Sequence, residues 1–223
     1  MSHAAFAATL TPEQRHLTHR LESFGDVVFG FTISQLALQF SLPVRPTDLI
    51  AHAFNYLVYA FTFGIIALLW LGYHRTLSTS YAPAPLDIAL TFVFLAFTGL
   101  TPYAMYAYLH FMDTLDGARY GLAAYLICGL GTLGSSSAIR LRNYLRGSSY
   151  LDAAARLKEY RRLIVTALLL PAFALILGLD IMQGAPKSSV WFILMPIGTV
   201  LVRRFVRTAP VLGSPAPVTE ATD

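Results

Sequence analysis

The sequence predicts an all-α integral membrane protein with six transmembrane helices. Three observations carry that prediction. Of its 223 residues, 56% are hydrophobic and only 13% charged, and a mean hydropathy of +0.57 exceeds what a soluble domain of this length carries. The apolar residues gather in six stretches, each close to the roughly 20 residues that a helix needs to cross the hydrocarbon. Lysine and arginine crowd into alternate connections, the pattern of a chain whose loops alternate between the two sides of a membrane.

The first stretch covers residues 24–42, and polar Thr32, Ser34, Gln35, Gln39 and Ser41 intervene there among Phe29, Phe31, Ile33, Leu36 and Leu38. No other stretch mixes its residues in this way. The second, at 49–71, is built on HAFNYLVYAFTFGIIALLWLGYH. The third, 86–108, and the fifth, 163–181, hold Pro102 and Pro171, which kink a helix and free a carbonyl. The fourth, 120–139, contains ICGLGTLGSSSA, in which Gly131 and Ser135 allow a neighbouring helix to come close. Its Cys128 is the single cysteine of the chain, so no intrachain disulfide forms and a thiol metal cluster is not expected. The sixth, 190–205, is short, contains Pro196 and ends among arginines. Turn-forming LPVRP, STSYAPAP, DTLDGA and MQGAPKSS punctuate the stretches, and a longer polar segment at 140–162 separates the fourth from the fifth. Residues 1–208 read as one six-helix transmembrane unit and 209–223 as a disordered C-terminal tail.

Orientation follows from the cations. One side holds Arg15, Arg20, Arg75, the group Arg140, Arg142, Arg146, Arg156, Lys158, Arg161 and Arg162, and then Arg203, Arg204 and Arg207; the other has only Arg45, Arg119 and Lys187. The excess marks the cytoplasmic side, so both termini are expected there. The net charge of +4 is a face toward anionic membrane lipids and calls for no nucleic acid. The opening twenty residues lack the short apolar core of a cleavable signal peptide, so the first helix is expected to direct insertion and to stay.

Charge at the mouth of the first stretch, in RLESFGDVVFGF, asks for an explanation. A carboxylate at Asp26 is costly unless it meets protein, water or a cation. Either it has a partner, with His74 and Arg75 at the end of the second helix as candidates, or it complements the positive end of the helix dipole. Further along, Phe31, Ser34, Gln35 and Leu38 fall at i, i+3, i+4 and i+7 and share one face. Such a face lines a narrow pore or hydrogen-bonds across a helix interface. His16 and His19 with Glu13 have helical metal-ligand spacing, but without further ligands they read as a solvated face, and no metal is expected. Walker lysine, dinucleotide-glycine, HExxH, GxSxG and TVGYG patterns are missing from the sequence. No enzymatic activity and no cofactor are expected.

RLESFGD followed by VVFGFTIS resembles the first-helix signature of the transmembrane protein 175 family of potassium channels, R-x-x-x-F-S-D and then typically G-V-F-A-I. Arg20, Phe24 and Asp26 stand at its characteristic positions, with Gly25 in place of serine. LLWLGYHR matches the family's tryptophan and histidine through Trp70 and His74, and GLTPYAM its proline-aromatic step through Pro102 and Tyr103.

The resemblance implies a passive, potassium-preferring cation channel in a bacterial inner membrane, a homotetramer of multi-pass subunits whose first helices line the pore. Apolar and hydroxyl side chains replace a carbonyl filter. Counted from Asp26, the constriction falls on Phe31 and the hydroxyl one turn deeper on Ser34, with Gln35 where leucine is usual; Leu38 continues that face. Arg20, Phe24, Asp26, Trp70 and His74 become members of a buried network that fixes the pore helix. A proton-permeable or proton-coupled pathway using Asp26 and His74 and a non-transporting membrane scaffold with a lipid-binding basic segment are the alternatives.

Overall fold

A computed structural model describes residues 10–39, 53–111, 113–147 and 153–183. Among these residues every regular element is an α-helix: α1 Pro12–Leu38, α2 Ala53–Ser80, α3 Pro85–Phe111, α4 Leu115–Gly147 and α5 Ala153–Gln183. They contain the first five expected stretches, apart from the ends of the first two, which lie outside the described residues. The sixth stretch at 190–205 and the tail at 209–223 also lie outside them. Three helical segments, Asn55–Ser78, Pro85–Phe111 and Leu115–Arg146, are long and apolar enough to cross a membrane.

The helix starts are local chemistry. Thr11 accepts from the Gln14 amide at 3.2 Å while the Gln14 side chain accepts from the Thr11 amide at 3.0 Å. This reciprocal capping, with Pro12 at the first helical position, starts α1 three turns before its apolar stretch. Asp26 therefore sits deep inside the helix, and the helix-dipole explanation for it is overturned, since that field fades within the first turn. Pro85 opens α3, and the Thr114 hydroxyl caps α4 by accepting from the Gly117 amide at 3.1 Å. The polar segment 140–162, expected as a connection, is largely helical: α4 runs on to Gly147 and α5 opens at Ala153. Its arginines, leucines and alanines are good helix formers, so polarity marks where the helices leave the apolar layer without ending them.

α3 and α4 make the most extensive helix pair, α5 packs on α4, and α1 lies against α3 and α2. A Cβ on Gly121 would fall 2.4 Å from the Tyr108 Cα, and one on Gly131 2.3 Å from the Phe97 ring. Glycine is what lets α3 and α4 touch. Thr91, Thr98 and Thr132 are buried, and each turns its hydroxyl back on the carbonyl four residues earlier, at 2.8, 2.8 and 2.9 Å. Back-bonding satisfies these donors without water.

Candidate functional site

α1 has two unlike sides. Leu21, Gly25, Phe29, Thr32 and Leu36 recur every three or four residues and are buried, facing α2 and α3. Opposite them runs Phe24, Val27, Phe31, Ser34 and Leu38, exposed along the whole length. Phe31 is 64% exposed and Leu38 78%, so neither packs into the core of the described helices. Gln35 is half-buried at the edge of this stripe. The Ser34 hydroxyl donates to the Gly30 carbonyl at 2.9 Å, which spends its proton inside the helix and leaves the oxygen lone pairs free to face outward.

α1 is held to α2 at two places. Trp70 and His74, one turn apart on α2, both reach Asp26: the indole Nε1 donates to Oδ1 at 2.9 Å and the imidazole Nε2 lies 2.8 Å from the same oxygen. The other ring nitrogen of His74 lies 2.8 Å from a Glu22 carboxylate oxygen. Since both nitrogens face carboxylates, full hydrogen bonding takes the doubly protonated ring. Trp70 also stands edge-on to His74, centroids 4.8 Å apart, which fixes both rotamers.

Of the residues expected in this network, Asp26, Trp70 and His74 come together. Phe24 instead packs edge-to-face on Phe92 of α3, centroids 5.6 Å apart. Arg20 is exposed and makes no hydrogen bond or ion pair with the described residues. The network is open to one side, for the Asp26 side chain is 48% exposed.

At the residue before Asp26, Tyr73 crosses Gly25. Its hydroxyl donates to the Leu21 carbonyl, and its ring stacks on Phe94 with centroids 5.7 Å apart and planes 9° from parallel. A Cβ on Gly25 would lie 2.2 Å from the Tyr73 Cε1. The departure from the serine of the family signature thus has a steric cause. The phenol fills the space a serine side chain would need and brings its own hydroxyl to the α1 backbone.

Two features escape the sequence reading. Glu22 is one, although its i, i+4 spacing to Asp26 places both acids on one side of α1 and was the available signal. The other is a fully buried carboxylate at Asp87, which accepts from Arg142 Nε at 2.6 Å and from Arg146. Beside it the Tyr81 hydroxyl lies 3.1 Å from the Thr91 hydroxyl, and burial pushes the Tyr81 phenol up from its ordinary pKa. A lone acid opening an apolar stretch was the visible signal for Asp87.

Comparison with known proteins adds to this geometry. Residues 20–102, less than half of the chain, match the family model described as the endosomal/lysosomal potassium channel TMEM175. Among curated proteins no relative matches. Among solved structures the fold is similar to a variant of the potassium channel MtTMEM175, crystallised with a Nanobody-MBP fusion protein, at a TM-score of 0.64 and 16% identity, covering 83% of this chain and 90% of that one. The matched residues hold the Arg20-to-Asp26 motif, Tyr73, the Trp70–His74 pair and Pro102, so the resemblance read from the opening motif is borne out by a family match over residues 20–102.

Proposed function

We propose that the chain is one subunit of a homotetrameric, potassium-preferring passive cation channel with six spans and both termini in the cytoplasm. The observation that carries this reading is the division of α1. One side is fastened to α2 through Tyr73, Trp70 and His74 and packs on α3 through Phe29. The stripe of Phe31, Ser34 and Leu38 is left uncovered by the described residues, with hydroxyl lone pairs and apolar surface alternating along it. Four such stripes around an axis make a narrow neck without a carbonyl filter, in which Phe31 rings form a dewetting barrier and Ser34 oxygens replace part of the water that an ion loses. The potassium-channel family match over residues 20–102 supports the choice of ion. Against a proton pathway, Glu22, His74 and Asp26 sit on the flank of α1 turned to α2, away from the stripe.

The test is Phe31→Ala in reconstituted liposomes, reading potassium flux, sodium flux and tetramer stability together. On this reading the neck widens, so flux rises and discrimination against sodium falls while the tetramer stays intact. A destabilised assembly with no gain in flux sinks it, since a ring packed between helices costs roughly 3–5 kcal/mol on truncation.

A further inference from the structure

The exposed stripe of α1 does not stop at its apolar part. Glu13, His16, Arg20, Phe24, Val27, Phe31, Ser34 and Leu38 follow one another at steps of three or four residues, and all eight are exposed. Successive steps of three and four keep residues on one face of a helix. The helix is continuous through them from Pro12 to Leu38, so Arg20 has the same azimuth as Phe31. Glu22 and Asp26, by contrast, lie well round the helix toward α2, where His74 takes up their charge. The signature arginine is thus separated from the acids of its own motif.

We infer that Arg20 lines the mouth of the pore on the N-terminal side and sets the field that arriving cations meet. This rests on the channel reading above and deepens it. Arg20 stands eleven residues before Phe31, about 16 Å along the axis at 1.5 Å per residue. That exceeds the screening length of about 8 Å at physiological salt and falls within the roughly 30 Å that applies at 0.01 M. A ring of guanidinium groups there repels cations arriving from the N-terminal side, in a salt-dependent way, and leaves the neck at Phe31 unaffected. Glu13 offsets it only in part, about 10 Å farther out. Arg20 therefore governs how fast ions arrive and has no part in choosing between them.

The experiment uses the full-length channel in planar bilayers, carrying Arg20→Cys in a Cys128→Ser background. The introduced thiol is modified from the N-terminal side with a sulfonate reagent or with a quaternary ammonium reagent of similar size. In about 0.02 M potassium the sulfonate adduct should pass at least about threefold more current from that side than the ammonium adduct. At 1 M salt the ratio should fall toward one, and the potassium-to-sodium preference should be the same for both adducts. Equal currents at low salt, with modification confirmed by mass spectrometry, overturn the inference. So does a tetramer lost in Arg20→Cys and restored by Arg20→Lys, which assigns Arg20 to assembly. Phe31→Ala in the same bilayers separates the two failures. If it alters conduction while the adducts do not, only the role of Arg20 falls; if neither alters it, α1 does not line the pore and both readings fall.

Discussion

Gly25 and Tyr73 form a pair in which each explains the other. The Tyr73 ring cannot retreat, being stacked on Phe94 and bonded to the Leu21 carbonyl, and the 2.2 Å approach leaves no room for a side chain at position 25. Gly25→Ser, although it restores the family residue, should therefore destabilise the protein by about 1–3 kcal/mol, the usual cost of overpacking. In the double variant Gly25→Ser, Tyr73→Leu the two changes should be less than additive, and a thermal-stability cycle in detergent measures the coupling. Strict additivity would mean that the contact carries no energy. Position 25 was legible as a departure but not as a steric one, because the obstructing residue lies 48 positions away on another helix. The same reason hid the partner choice of Asp26: sequence supplied the candidates His74 and Arg75, and only the helix crossing selects His74.

At the scale of the helix, hydropathy located α2, α3 and α4 because each carries an uninterrupted apolar run, and it placed the start of α3 within a residue, but it cut α4 short at both ends and α2 and α3 short at their C-terminal ends. Ends are set by capping groups such as Thr11 and Thr114 and by propensity, neither of which tracks polarity. The clamp between the start of α3 and the end of α4 was invisible for a different reason: Asp87 and Arg142 are 55 residues apart, and no local pattern joins them. Its energetics are asymmetric. Asp87 is fully buried, whereas Arg142 and Arg146 are 30% and 40% exposed. Removing both cations strands a buried carboxylate, and the double variant Arg142→Gln, Arg146→Gln should lose roughly 3–5 kcal/mol. Asp87→Asn should cost less, since the freed guanidinium groups reach water. Melting both variants in detergent checks the order; an equal or reversed ranking would show that the carboxylate is better solvated than its burial implies.

For the molecule as a whole, the proposed topology places the short link between α4 and α5 on the side of both termini. A thiol at Ser148→Cys, in a Cys128→Ser background, should be unreactive toward an impermeant reagent added to intact cells and reactive once the membrane is opened. Labelling in intact cells would invert the orientation and move the Arg20 mouth to the outer face. The molecule also assembles from parts of unequal reach. α3 and α4 are joined by a few residues around the Thr114 cap and form the most extensive helix pair, with Gly121 pressed to the Tyr108 backbone. Their contacts close over short loops, which form fast and lose little chain entropy. The contacts of α1 with α3, such as Phe29 with Phe94 at 6.1 Å, must wait until some 65 further residues have been synthesised. The hairpin of α3 and α4 therefore closes soon after its second helix emerges, whereas α1, the first helix to be made, waits through the longer stretch of synthesis for its partners on α2 and α3.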